Sequence, residues 1–196
     1  MIIYWEELVI INSNVKEFLG ISVSIIILFL IYSGVTLLYK NNGNDIISEK
    51  FKIYSKNINT DKEIIVEEFE FSDDINTIDN KLNVVARKLS DSMFKGLPIE
   101  LIQIKEVEDK MIAIFNLKEN EDNLVVSDWS KYSEPNWANN FFQGSAGGSW
   151  TCYTLQTTML QPDYEGEWID GVKFLYNGEE NIYFQHIEGL DKIKYR

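Results

Sequence analysis

Residues Thr77–Lys95, TIDNKLNVVARKLSDSMFK, decide the fold class. Ile78, Leu82, Val85, Leu89 and Met93 recur at spacings of four, three, four and four, the period of a helix with one apolar face. Thr77 stands where an N-cap belongs, Gly96 where a C′ glycine belongs, and Pro98 bars continuation. Upstream, Glu63–Phe71 (EIIVEEFEF) is rich in β-branched and aromatic residues and reads as a strand. Downstream, Ile99–Val107 and Met111–Leu117 read as two strands of a hairpin, turning at Glu108-Asp109-Lys110.

Residues 118–149 read as a long irregular stretch that ends in GSAGGS. A second helix is expected over Trp150–Gln161, with Ser149 as its N-cap and Pro162 beyond its end. Val172–Tyr176 and Ile182–His186 then suggest a closing hairpin across NGEEN. The order β-α-β-β-α-β-β implies an α+β fold, a two-layer sandwich with strands packed against two helices.

Working outward to the N-terminus, residues 40–62 read as a polar linker with weak strand tendency. Before them lies an uncharged run, Phe18–Tyr39, FLGISVSIIILFLIYSGVTLLY. A helix of about 22 residues rises roughly 33 Å, enough for a bilayer core of about 30 Å. Tyr32, Tyr39 and Lys40 suit an interfacial end. The expectation is an uncleaved single-pass transmembrane helix at 18–39, a tail at 1–17, and one α+β domain at 63–196. Glu6, Glu7 and Glu17 with only Lys16 argue against a cleaved signal. Ile2, Ile3, Tyr4, Trp5, Leu8 and Val9 give the tail an apolar set suited to the membrane interface. Charge leaves the orientation open. Lys40, Lys50, Lys52 and Lys56 lean towards a cytoplasmic C-terminus, yet long domains translocate largely regardless of charge.

The chain has 196 residues, with 18 Lys+Arg against 31 Asp+Glu and a formal charge of −13. That balance excludes nucleic acid as a partner, because phosphate neutralisation needs a clustered basic surface. It equally disfavours docking on anionic lipid head groups. Cys152 is the only cysteine, so no intramolecular disulfide forms and no lipid-modified cysteine follows the apolar run.

The candidate chemistry is thin. The glycine stretch Gly144–Ser149 precedes a helix, a natural anion site, but the lysine of a phosphate-binding loop is missing and GxGxxG is absent. A tight turn is the economical reading. Cys152 and His186 form a conceivable nucleophile–base pair, yet Cys152 shares a helical face with Leu155 and Met159, as a core cysteine would. One His and one Cys do not make a zinc site. Glu67-Glu68 point to opposite faces of a strand, and Asp73-Asp74 and Glu179-Glu180 lie at turns. The expectation is no catalytic, cofactor-binding or metal-binding residue and no enzyme activity. Packing of the long loop onto the sheet accounts for most of the aromatic residues in and near it; beside that reading, Trp129, Trp137, Trp150 and Trp168, with Gly144 and Ser145, make the candidate interaction surface, either for a protein partner or for wall glycan.

The C-terminal part carries a pattern of its own: Phe115-Asn116-Leu117 on a strand, the loop Gly144-Ser145, helix residues Thr158 to Gln161, and Phe174 to Gly178 at a strand end. This resembles the GerMN domain of sporulation and spore-germination proteins, here in a single copy covering about residues 63–190. The resemblance implies a βαββα core without catalytic residues, a ring-building or assembly role in the cell envelope, and a domain held outside the cytoplasmic membrane. It therefore implies envelope proteins or further copies of the chain as partners, with the lipid bilayer held through 18–39. A wall-glycan (peptidoglycan) module is the second expectation, and a hydrolase using Cys152 and His186 the third.

Overall fold

The computed structural model describes residues 50–57, 59–187 and 189–196, within a compact unit spanning Glu49–Arg196. The expected membrane helix at 18–39 and the tail at 1–17 lie outside the described residues. Among the described residues no helix is long and apolar enough to cross a membrane.

The domain is α+β, with two main helices, one antiparallel sheet and one mixed sheet. Strands β1 (Phe51–Lys56) and β2 (Glu63–Phe69) form a two-stranded antiparallel sheet. Helix α1 (Ile78–Met93) follows, then β3 (Ile99–Val107) and β4 (Lys110–Leu117). Two short helices, α2 (Glu121–Leu124) and α3 (Trp137–Asn140), flank a 3-10 turn at Trp129–Lys131. The second main helix is α4 (Ser145–Leu160), followed by β5 (Gly171–Tyr176) and the two-residue β6 (Lys194–Tyr195). The larger sheet runs β3-β4-β5-β6: β4 pairs antiparallel with β3 and parallel with β5, and β6 is antiparallel to β5.

Helix α1 forms where its periodicity places it. Thr77 is the N-cap, its Oγ1 accepting from the Asn80 amide at 3.3 Å. Leu82, Val85, Ala86 and Leu89 are buried. At the other end Lys95 (φ 54°) and Gly96 (φ 78°) both turn left-handed, and the Ser90 hydroxyl donates to the Leu97 carbonyl at 2.6 Å. The helix packs on β1, β3 and α4. The β3–β4 hairpin also forms, turning on Glu108 and Asp109, both at positive φ, with Val107 opposite Lys110.

Four expectations are corrected. Residues 51–56, read as part of a linker, form β1, because Phe51 and Ile53 alternate with Lys52 and are fully buried. The described domain therefore opens β-β-α rather than β-α. Strand β2 ends at Phe69, not Phe71. Helix α4 starts at Ser145, with Gly144 (φ 74°) as N-cap in place of Ser149. Finally, Ile182–His186 is not a strand. The Asn177-Gly178 turn does form, with Tyr176 bridging Glu179. Strand β5, however, already has β4 on one side, and its other side meets β6 and the Leu190 carbonyl, which accepts from the Phe174 amide at 3.1 Å. Residues 182–186 have no edge of β5 to join. They pack instead through Phe184, whose ring lies 5.1 Å from Phe142 and 5.5 Å from Tyr176.

Candidate functional site

The site begins with how α4 is docked. Its face Trp150, Thr154, Thr158, Gln161 lies along the outer edge of β1. The Gln161 side-chain amide takes both backbone groups of Lys52, accepting from its N–H at 2.9 Å and donating to its carbonyl at 2.8 Å. The Thr158 hydroxyl does the same for Tyr54, at 3.0 and 3.3 Å. Thr154 Oγ1 lies 3.3 Å from the Ser55 hydroxyl, and the Trp150 indole N–H donates to the Lys56 carbonyl at 3.1 Å. The periods permit this: four helical residues rise about 6 Å and two strand residues about 6.6 Å. Side chains of one helix face thus act as the missing neighbour strand and close the β1 edge. Gln161 is the helix C-cap at φ 46°, a left-handed position that turns its amide back onto the strand.

Where this face begins, a cleft of about 360 Å³ opens between the β1–β2 turn and the start of α4, lined by Lys56, Asn57, Asp61, Ser145, Ala146, Ser149 and Trp150. The N-cap Gly144 makes no side-chain cap. The Lys56 ammonium pairs with Asp61 at 3.1 Å and stands 4.8 Å from the centre of the Tyr153 ring. The Ser145 and Ser149 hydroxyls and the Asn57 amide equip the cleft to hold a polar segment by hydrogen bonds, with the Trp150 ring as an apolar wall.

Of the candidate surface residues, Ser145 and Trp150 line this cleft and Gly144 adjoins it. The other indoles do not join them. Trp137 is wholly buried: its ring lies 4.9 Å from Phe94 and 5.8 Å from Phe142, and its indole N–H donates to the Lys118 carbonyl at 3.1 Å. Trp168 is also buried, bonded to the Met159 carbonyl at 2.7 Å and 4.9 Å from Phe51. Trp129 is exposed, edge-on to Phe184 at 5.9 Å. A stacking face built from all four indoles is therefore not present in the folded domain.

The approach of His186 explains why a glycine, Gly148, sits inside α4. A Cβ there would stand 2.3 Å from the His186 carbonyl oxygen. Gly148→Ala is expected to cost about 1–3 kcal/mol through overpacking against backbone, read as a lower urea midpoint. An unchanged midpoint would mean the 182–187 segment moves aside freely.

Burial pushes the half-buried Cys152 thiol up to about 11. At neutral pH its thiolate fraction is roughly a hundredfold below that of an ordinary thiol. Labelling of the folded domain with a maleimide is accordingly expected to be far slower than labelling in urea. Equal rates would restore Cys152 as a nucleophile candidate. Among the described residues no group of three or more His, Cys, Asp or Glu side chains could hold a metal. Glu67 is committed to α1, accepting from Lys88 at 2.6 Å and Ser92 at 3.1 Å, and these bonds hold its carboxyl below the usual range.

Sequence reading missed Glu119, whose side chain is fully enclosed. Its Oε1 accepts from the Ala138 amide at 3.0 Å and the Tyr176 hydroxyl at 2.8 Å. Among the described residues no group completes a hydrogen bond to Oε2. Burial raises its carboxyl above the ordinary value of 4.5, outweighing the Tyr176 hydroxyl, the Ala138 and Trp137 amides and the Asn123 side chain, all of which favour the charged form. The folded state therefore holds this proton more tightly than the unfolded chain. Its contribution to stability is complete below pH 4.5 and declines as pH rises through the folded value. Glu67 and Asp163, held low by Lys88 and Lys52, run the opposite way and lose their contribution as pH falls. Glu119→Gln, which keeps an acceptor and removes the titration, is expected to gain in melting temperature on the parent between pH 5 and pH 8. A constant difference across that range would refute the assignment. No signal short of the tertiary fold marks Glu119, since its neighbours Lys118 and Asn120 are polar too.

No protein-family model, curated protein or solved structure significantly matches this chain. Its class rests on its own features: an α+β domain with one strand edge closed by a helix face and a small polar cleft at the start of that helix.

Proposed function

We propose that the chain is a membrane-anchored, non-enzymatic module whose α+β domain works outside the cytoplasmic membrane through protein–protein contacts in the cell envelope, in sporulation, germination or envelope organisation. The anchor is the uncharged run at 18–39. The GerMN-like pattern around Phe115, Gly144-Ser145, Thr158–Gln161 and Phe174–Gly178 supports the envelope setting and the outward orientation. The observation that carries the reading is the treatment of the small sheet: the β1 edge is closed by α4, whereas β2 presents Ile64, Ile65 and Val66 at 42%, 49% and 44% exposure. Three consecutive exposed β-branched residues on a strand are unusual for a surface without a partner.

In a bacterial host, the full chain is expected to pellet with membranes, to resist a carbonate wash and to leave only in detergent. Deleting 18–39 is expected to free it. Cross-linking in the membrane is expected to capture a larger species. A full chain released by carbonate, or one that cross-links only as a monomer, would overturn the proposal. The wall-glycan reading retains Trp129 and the half-buried Trp150. A change in tryptophan emission on titration with peptidoglycan fragments would favour it.

A further inference from the structure

We propose that the outer edge of β2, centred on Ile65, is a strand-addition site for an extended partner segment that carries β-branched residues between lysines or arginines. The inference rests on the interaction-module reading above and names the partner's chemistry.

The geometry starts from the two edges of one small sheet. Gln161 and Thr158 take both outward backbone groups of Lys52 and Tyr54 on β1, and the Trp150 indole takes the carbonyl of Lys56. Strand β2 pairs with β1 alone among the described residues. Its residues from Glu63 to Val66 are all exposed, and only beyond them does α1 reach the strand, through Lys88 on Glu67. The open part is thus the stretch from Glu63 to Val66. Proteins ordinarily blunt such edges with lysine, proline, bulges or a covering element. Here the blunting is a bulge, where the register slips between Ile53 and Tyr54, and a set of glutamates.

The charges select the occupant. Glu63, Glu67, Glu68, Glu70, Asp73 and Asp74 follow one another with no Lys or Arg between them, in a chain of formal charge −13. A second copy laid antiparallel about Ile65 would set Glu63 opposite Glu67, and like charges directly opposed destabilise a strand pair. A basic strand meets no such penalty. Strand β1 shows the matching pattern within the domain: Lys52 stands opposite Glu68, Tyr54 opposite Ile65 and Lys56 opposite Glu63. A partner segment with the same alternation, base, apolar residue, base, would face the same side chains from the other side of β2. Backbone hydrogen bonds would supply affinity, and alternate side chains would supply selectivity.

The test uses the full chain in detergent micelles and two fluorescent peptides, Val-Lys-Thr-Ile-Thr-Lys-Val, whose lysines stand two residues either side of the central isoleucine as Lys52 and Lys56 do about Tyr54, and its counterpart with glutamate in place of both lysines. The basic peptide is expected to bind about tenfold or more tightly than the acidic one, and to weaken as salt is raised. Ile65→Lys is expected to abolish binding, and Glu63→Gln to weaken it while the melting temperature stays near the parent's. Equal affinity for the two peptides, no binding of either, or full binding by Ile65→Lys would overturn the proposal. So would a dimer of the full chain that Ile65→Lys dissociates, which would make the occupant a second copy. Membrane retention is scored separately, so a failed peptide experiment on a carbonate-resistant protein removes this inference and leaves the broader reading standing.

Discussion

Trp137→Ala is expected to lower the stability of the Glu49–Arg196 unit by about 3–5 kcal/mol. The ring is fully buried and meets Phe94 at 4.9 Å, Phe141 at 5.6 Å and Phe142 at 5.8 Å. Those neighbours belong to the end of α1 and to the segment leading into α4, so the cavity left behind cannot collapse by moving one side chain. The Lys118 carbonyl would also lose its indole donor. Urea denaturation followed by circular dichroism reads the effect. A loss under about 1 kcal/mol would mean the surrounding rings close the void. Trp129→Ala, at an exposed ring, serves as the contrast and is expected to change the midpoint little.

Opening the β1 edge is the second large effect. Thr158→Val keeps the shape of the side chain and removes the hydroxyl that serves both backbone groups of Tyr54. Each buried group left without a partner costs about 1–3 kcal/mol. Gln161→Leu would do the same to Lys52. The two losses are coupled, because both side chains hold one helix to one strand, and the double variant is expected to depart from additivity. Thr158→Ser retains the hydroxyl and is expected to cost far less than Thr158→Val. Equal costs for Ser and Val would show that packing, rather than the hydrogen bonds, fixes α4 on the sheet.

These two sites show where the sequence was readable. Helix α1 was legible because its signals are local: the apolar period, Thr77 at one end and Gly96 near the other. The β3–β4 hairpin was legible for the same reason. Helix α4 was half legible. Gly144–Ser149 reads as loop on propensity, and only the close approach of His186 to Gly148 explains why glycine is kept within a helix. The residues Thr158 and Gln161 stood out through the GerMN-like pattern, but their bonds reach across 104 and 109 positions to β1, a strand taken for linker. Parallel pairing of β5 with β4 is equally non-local, and it left the expected strand at Ile182–His186 without an edge to join. The aromatic residues carried the least positional information. Their abundance fitted both packing of the irregular loop and a binding surface, and Trp137 and Trp168 took the first course, each indole finding a backbone carbonyl inside the core.

On the reading proposed above, the α+β domain stands outside the cytoplasmic membrane behind an anchor at 18–39. The most direct measurement is protease accessibility of a C-terminal tag on the full chain in intact bacterial protoplasts. Loss of the tag in intact cells, with a cytoplasmic control protein untouched, is the predicted result. A tag that survives until the cells are lysed would place the domain in the cytoplasm and contradict the account.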